Sequence, residues 1–399
     1  MRVYPPRLGL IAILALTVAS GCASFEPPLA SRAGATGKLS EDAAVAATIF
    51  GPDKRVWRLI VAGQQLYVDA SDDGGTTYGA PVAVTPQPQP ILVRAEDRPS
   101  LAVDGGGTVY VLYTAGAHEA SVNYLVHSAD GGSHFSAPLP LRNPSDRSRH
   151  YQASMVVTSE GQLYVFWNSE YGQEAGAAET QGAALYYATG NRPAASRWSS
   201  RKLAERLCNC CRVAVDLDVD DLPVVLARFV YADQVRDHGM LKASPSRLLA
   251  EPWRVTEDDW QTDACPMHGP ALSIAHDGRY HIAWFTQGRR RQGLYYAHSD
   301  DQGKHYSTPM ALGRSQALPG HADVLALDHR VVLVWQEFDG KQTRIMATQS
   351  EDRGETWSAP VAAAKTGAAS DYPFLISDNQ RVFLSWNSVE HGHQLIPID

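Results

Sequence analysis

Short strand-like runs recur along the chain, and each leads into a polar turn; Val122-Asn123-Tyr124-Leu125-Val126-His127 is one of them. Four of these turns share one pattern, Ser-x-Asp-x-Gly-x-(Thr/His)-aromatic. They are Ser71-Asp73-Gly75-Thr77-Tyr78, Ser128-Asp130-Gly132-His134-Phe135, Ser299-Asp301-Gly303-His305-Tyr306 and Ser350-Asp352-Gly354-Thr356-Trp357. The residue types suit a tight turn between strands. Aspartate accepts bonds from backbone N–H groups of its own turn, glycine takes positive φ, and the aromatic ring plugs an apolar gap.

The spacing turns a local motif into a repeat. Ser128 follows Ser71 by 57 residues, Ser299 follows Ser128 by 171, and Ser350 follows Ser299 by 51. Two units with decayed turns are therefore expected between the second and third boxes. Ala184–Gly190 followed by Trp198, and Met240–Ser244 followed by Trp253, fill those places. An earlier strand of each unit ends in a large side chain. Aligned in this way are Val109–Tyr113, Leu163–Trp167, Val224–Arg228, Tyr280–Trp284, Val331–Trp335 and Val382–Trp386. The last of these follows the final box, and the first box is preceded only by a strand such as Gln64–Ala70. The expectation is an all-β, six-bladed β-propeller of four-stranded blades, closed by strands from both termini so that no sheet edge is left exposed.

On these boxes the chain resembles the sialidase-like family of BNR or Asp-box propellers, across Val56 to Asp399. The boxes are specific for the fold and not for an activity, since in that family they lie away from the ligand face. The family's sialidases clamp a carboxylate with three arginines, the first in an Arg-Ile-Pro motif, and use a Tyr-Glu nucleophile with an Asp acid/base. That pattern is not matched here. Only Arg55 and Arg58 lie between residue 50 and Ser71, and the nearest look-alike is Arg98-Pro99-Ser100-Leu101, one blade later.

The first residues read as an address. Arg2 and Arg7 precede the apolar run Leu8–Val18, and Ala19-Ser20-Gly21-Cys22 resembles a bacterial lipobox. The expected organisation is a signal peptide over 1–21, a lipidated Cys22 with a flexible tether over 22–50, and one propeller over 51–399. Ala23 in place of aspartate favours the outer membrane of a Gram-negative bacterium, and the lipid would be the tie to the membrane. The net charge of -8 argues against nucleic acid as partner. A monomer is expected.

Candidate chemistry gathers where the innermost strands begin. Arg98, Arg212 and Arg289 are placed to hold a carboxylate or phosphate, with Tyr372 at the start of the closing blade's innermost strand. Tyr113, Trp167, Trp284, Trp335 and Trp386 form an aromatic row, available either for sugar stacking or for packing between blades; Arg228 interrupts it. Cys208-Asn209-Cys210-Cys211 and Cys265-Pro266-Met267-His268-Gly269-Pro270 fall at the same end of adjacent blades. Three readings of the cysteines stay open. They are disulfides, as an oxidising compartment favours; a copper or zinc site using Cys208, Cys210, Cys211, Cys265, Met267 and His268, with His238 nearby; or thiol redox chemistry beside Arg212.

The functional expectation is a membrane-anchored extracytoplasmic propeller that binds a glycan or another anionic ligand at its channel mouth and is not an active sialidase. A metal-handling or redox protein and a non-sialidase glycoside hydrolase or lyase are the alternatives.

Overall fold

A computed structural model describes residues 44–399 apart from 95, 118–119, 143–147, 171–182, 192–197, 199, 244–250 and 265. Among the described residues the strands form seven antiparallel sheets, met in chain order. They are blade 1 (44–83), blade 2 (91–140), blade 3 (150–207), blade 4 (214–254), blade 5 (271–312), blade 6 (320–366) and blade 7 (374–398). The first strand of each blade lines a central channel.

The ring therefore has seven blades, not six, and no blade is shared between the termini. Blade 7 is a three-stranded sheet built from residues 374–398 alone. Blade 1 supplies all four of its own strands, starting with Ala44–Phe50 and Val56–Ala62. Ala44–Phe50 falls within the stretch read as tether. Its composition explains the misreading: Ala44-Val45-Ala46-Ala47-Thr48 is small and featureless in sequence. Small side chains are also what an innermost strand needs where seven strands crowd around one axis.

The apolar core is divided among the seams between blades. Trp57, Leu59 and Val68 of blade 1 meet Val109, Val111 and Tyr113 of blade 2, and comparable clusters join blades 2–3, 3–4, 4–5, 5–6 and 6–7. The aromatic row belongs to these seams. Tyr113, Trp167, Trp284, Trp335 and Trp386 are each no more than 3% exposed, so packing, not sugar stacking, is their role.

The box turns adopt the expected chemistry. Ser71 Oγ donates to Asp73 Oδ1 at 2.7 Å and accepts the Gly75 N–H at 2.8 Å, while Asp73 accepts the Thr77 N–H and hydroxyl at 2.8 and 2.6 Å. A Cβ on Gly132 of blade 2 would lie 2.7 Å from Trp57 of blade 1, and one on Gly75 of blade 1 would lie 3.0 Å from Leu395 of blade 7. The box turn thus leans on the preceding blade, and blade 1 leaning on blade 7 closes the ring. Asn387 Nδ2 donating to Val45 O at 2.8 Å adds a polar tie across the same seam.

Buried side chains stitch the innermost strands together. Asp97 accepts the Gln152 N–H at 2.9 Å, Asp216 the Ile274 N–H at 2.7 Å, and Asp323 the Leu375 N–H at 2.8 Å. Burial pushes the Asp97 and Asp216 carboxyls up to about 6, with their backbone bonds offsetting it only in part. A carboxyl raised in the fold adds stability below the unfolded value near 3.9, and that contribution is lost as pH rises through about 6. His268, His281 and His393, held near 3 mainly by burial, act in the opposite sense below about 6.5. The difference between variant and wild type isolates the aspartates. Relative to wild type, the double variant Asp97→Asn/Asp216→Asn should gain on the order of 2 kcal/mol between pH 5 and pH 8 in urea unfolding.

Candidate functional site at the channel mouth

In an antiparallel meander the first strand begins at the face opposite the end of the third. The strand starts and the box turns therefore lie on opposite faces, and all seven innermost strands begin at one mouth. Two local irregularities load this mouth with polar groups. The innermost edge of blade 2 is split into Ile91–Leu92 and Ser100–Val103, both pairing with Val109–Ala115. Glu96, Asp97 and Arg98 fall in the excursion between the two pieces. In blade 6 the pairing register slips between Gly320 and Asp323, with His321 at φ 51. A non-glycine residue held in the left-handed region at a bulge re-aims its side chain, a strain that concentrates at functional sites.

Glu96 is the hub. Its carboxylate accepts the Gly269 N–H at 3.1 Å, the Arg212 N–H at 3.4 Å and His321 Nδ1 at 3.1 Å. Burial alone would raise this carboxyl. The His321 bond and the nearby charges of Arg212, His321 and His268 outweigh it and hold the group down at about 2. In the tautomer that donates to Glu96 through Nδ1–H, Nε2 of His321 is the lone-pair nitrogen. The His321 ring lies in a column: Tyr372 stacks on it at 3.4 Å, His268 on its other side at 4.3 Å, and Phe285 on His268 at 4.1 Å. Burial, and then the Glu96 charge, push the Tyr372 phenol up to about 12 against Arg98 and Arg212. His268 is held near 3, chiefly by burial, and its Nδ1 is buried with no hydrogen-bond partner. Below the mouth the channel encloses about 340 Å³ between Val45–Thr48, Ser154, Arg212, Asp323 and Phe374.

Arg98 and Arg212 do reach this mouth, and both are partly committed. Arg98 pairs with Asp371 at 2.7 Å, donates to Tyr372 O at 3.2 Å and lies over Phe374 at 4.3 Å. Arg212 donates from Nε to Pro270 O at 3.2 Å and from Nη2 to Ala322 O at 2.8 Å. Two of its five N–H groups are thereby used. Tyr372 stands in the ring column. Arg228 and Trp284 do not face the mouth. Arg228 is 1% exposed and gives its guanidinium to three carbonyls, and Trp284 Nε1 donates to Asp258 at 2.8 Å. Arg289 is exposed on the 288–291 loop of the same face, where Arg290 and Arg291 pair with Glu257, Asp258 and Asp259. Glu96 and His321 escaped the sequence reading. The signal for both was position, since each lies just before or within the start of an innermost strand.

The two cysteine motifs do meet. Arg228 Nη2 donates to His268 O at 3.2 Å, and the Arg212 backbone N–H shares Glu96 with Gly269, so residues 266–270 lie against the 208–212 turn. Cys208 Sγ is 3.6 Å from Cys211 Sγ and 3.8 Å from Cys210 Sγ, and the three sulfurs lie within 4.8 Å of one another. Cys208 and Cys211 are buried free thiols, whereas Cys210 is disulfide-bonded. The bond from Cys211, followed by the Arg228 and Arg236 charges, outweighs burial and lowers Cys208 to about 6; the same coupling and burial push Cys211 well up. Cys265 lies outside the described residues, as does Cys22. His268 points its ring into the stacked column instead of being fixed by the sulfurs.

No family model matches the chain, and no curated protein matches it. Solved structures do. A polysaccharide lyase of family PL25, an ulvan lyase bound to -[GlcA(1-4)Rha3S]-, matches with TM-score 0.58 at 9% identity, over 93% of this chain and 95% of that one. The Hadza microbial sialidase Hz136 matches with TM-score 0.52 at 14% identity, over 89% and 74%. YCF48 bound to D1 peptide matches with TM-score 0.50 at 15% identity, over 94% and 99%. At these identities the likeness is one of fold: the chain is a sialidase-like β-propeller.

Proposed function

We propose that this chain binds an acidic glycan at the mouth of its channel, carried outside the cytoplasm on a lipidated Cys22. The observation that carries the reading is the Tyr372–His321–His268–Phe285 ring column standing beside Arg212. Arg212 keeps three N–H donors for a carboxylate or sulfate after its two carbonyl bonds, and the rings of the column, stacked face on face, hold the mouth beside it in a fixed shape. Two structural neighbours are described as a sialidase and as a lyase bound to a glucuronate-containing saccharide, which supports an acidic sugar as the ligand class.

A second reading rests on one geometric fact, the 3.1 Å bond from Glu96 to His321 Nδ1. A carboxylate that fixes the tautomer and orientation of an imidazole prepares Nε2 as a base. Removal of the proton beside a uronate carboxylate by His321, with Tyr372 protonating the leaving oxygen and Arg212 neutralising the carboxylate, would be β-elimination. A phenol raised to about 12 stays protonated for that task.

One experiment addresses both readings. The full chain in detergent is titrated calorimetrically with uronate- and sialate-bearing oligosaccharides and with neutral counterparts, and the mixtures are then followed for unsaturated product by ultraviolet absorbance. Acidic ligands should bind and neutral ones should not, and Arg212→Met should weaken binding about 10–100-fold, as expected for lost charge-assisted bonds. Equal affinity for neutral and acidic sugars, or no binding at all, would sink the proposal. Product that vanishes in His321→Ala while binding persists would make the protein a lyase.

A further inference from the structure

The glycan reading leaves the sulfur triangle of the 208–211 turn without a task. Cys208 Sγ stands 3.6 Å from Cys211 Sγ and 3.8 Å from Cys210 Sγ, and the three lie within 4.8 Å of one another. Cys208 and Cys211 are free thiols at 0% and 2% exposure, while Cys210, held in a disulfide, is half-buried. Both ends of the turn are fixed. The Cys208 N–H donates to Arg228 O at 2.8 Å, and Arg212, next after Cys211, is held by Pro270 O and Ala322 O. Two buried guanidiniums attend the sulfurs. Arg236 Nη1 donates to Cys208 Sγ at 3.3 Å, and Arg228, which donates to Arg236 O at 2.8 Å, acts electrostatically on both Cys208 and Cys211. Among the described residues no histidine or carboxylate joins the triangle.

We propose that the thiolates of Cys208 and Cys211 hold one Cu(I) ion between them. Thiolates are soft ligands and select Cu(I) among the first-row metal ions. A metal–thiolate bond is about 2.3 Å long, so two sulfurs sharing an ion stand at most about 4.6 Å apart. The 3.6 Å between Cys208 and Cys211 falls within that reach. Cu(I) replaces the two thiol protons, which pass to solvent, and nothing is oxidised or reduced. The resulting complex keeps one negative charge, and Arg228 and Arg236 supply its counter-charge where the sulfurs are buried. A divalent ion would cancel that charge and leave two buried guanidiniums beside a neutral site, which is costly. Zinc also takes four ligands in a closed site, whereas this turn offers two thiols and one disulfide sulfur.

The test uses the full chain, kept free of oxygen, with Cu(I) supplied as its coloured bicinchoninate complex. The protein should withdraw about one Cu(I) per chain, and X-ray absorption at the copper edge should show a first shell of sulfur alone. Cys208→Ser and Cys211→Ser should each weaken binding by more than about 100-fold, and Arg236→Met, which keeps both ligands, by about 10–100-fold, the range for groups that support a ligand. No Cu(I) withdrawn while both thiols stay reduced would overturn the site, and so would nitrogen in the first shell. A Cys208–Cys211 disulfide already present in protein whose thiols were trapped in acid on isolation would overturn it too, since the ligands would be consumed. Should the serine variants fail to fold, the stoichiometry and the sulfur shell of the wild type decide alone.

Discussion

Arg228→Ala is expected to lower the unfolding free energy by about 3–5 kcal/mol, read as a fall in the urea midpoint with an unchanged slope. The guanidinium is 1% exposed and donates to Arg236 O at 2.8 Å, His268 O at 3.2 Å and Phe285 O at 2.8 Å, with Trp260 over its face at 4.7 Å. Those carbonyls belong to the 236 region of blade 4, the loop before blade 5, and the second strand of blade 5. Alanine would orphan three buried acceptors and open a void, two of the mechanisms behind large losses. Arg228→Lys should recover little, because a single ammonium cannot match a planar fork aimed at three carbonyls. A second readout separates this from general damage. Arg228 is one of the two cations lowering Cys208, so alkylation of Cys208 in the folded lysine variant should keep its midpoint near wild type, whereas the alanine variant should shift it upward.

The distribution of Arg228 between packing and chemistry shows where sequence reading reached its limit. Its place at the end of a second strand, in line with Tyr113, Trp167 and Trp284, was visible from alignment alone. Its partners were not, because two of the three carbonyls come from chain 40 and 57 residues away. The boxes were legible because their bonds are local: Ser71, Asp73, Gly75 and Thr77 contact each other within four residues. The blade count was not. Six box-bearing or decayed units and six aligned second strands were each found, but the two sets are offset by one blade. Val56–Ala62, the second strand of blade 1, has no large terminal side chain to align it, and blade 7 has no fourth strand.

At the mouth the same contrast holds. Arg98, Arg212 and Tyr372 were placed by counting back from strands, and the structure sets all three around one opening. Which of them is available to a ligand depends on pairings no periodicity encodes. Asp371 holds Arg98, and Pro270 and Ala322 hold one edge of Arg212. Glu96 and His321 come from blades 2 and 6, on a split edge and on a bulge, and irregular pairing of that kind leaves no hydrophobic signature. In this chain the repeated seams fix the frame, and Glu96 and His321 sit where the repeat is broken.

Gly354→Ala is expected to cost about 2–4 kcal/mol, although it adds one methyl group to a surface turn. Gly354 closes the blade 6 box with its N–H on Ser350 Oγ at 2.8 Å and holds φ at +90, where a Cβ is strained whatever the space around it. There is also no space: the Cβ would overlap the Tyr296 hydroxyl of blade 5. Tyr296 cannot give way cheaply. It is 2% exposed, its Oη is 2.7 Å from His281 Nδ1, and its ring meets Trp357 edge-on at 4.8 Å. The two contributions can be separated by a double-mutant cycle in urea unfolding. In a Tyr296→Phe background the overlap is relieved and the glycine substitution should cost only the backbone part, about 1 kcal/mol. An unchanged cost in that background would place the whole effect in the turn itself. The box would then be a device for ending a blade, and the contact with the neighbouring blade would carry none of the loss.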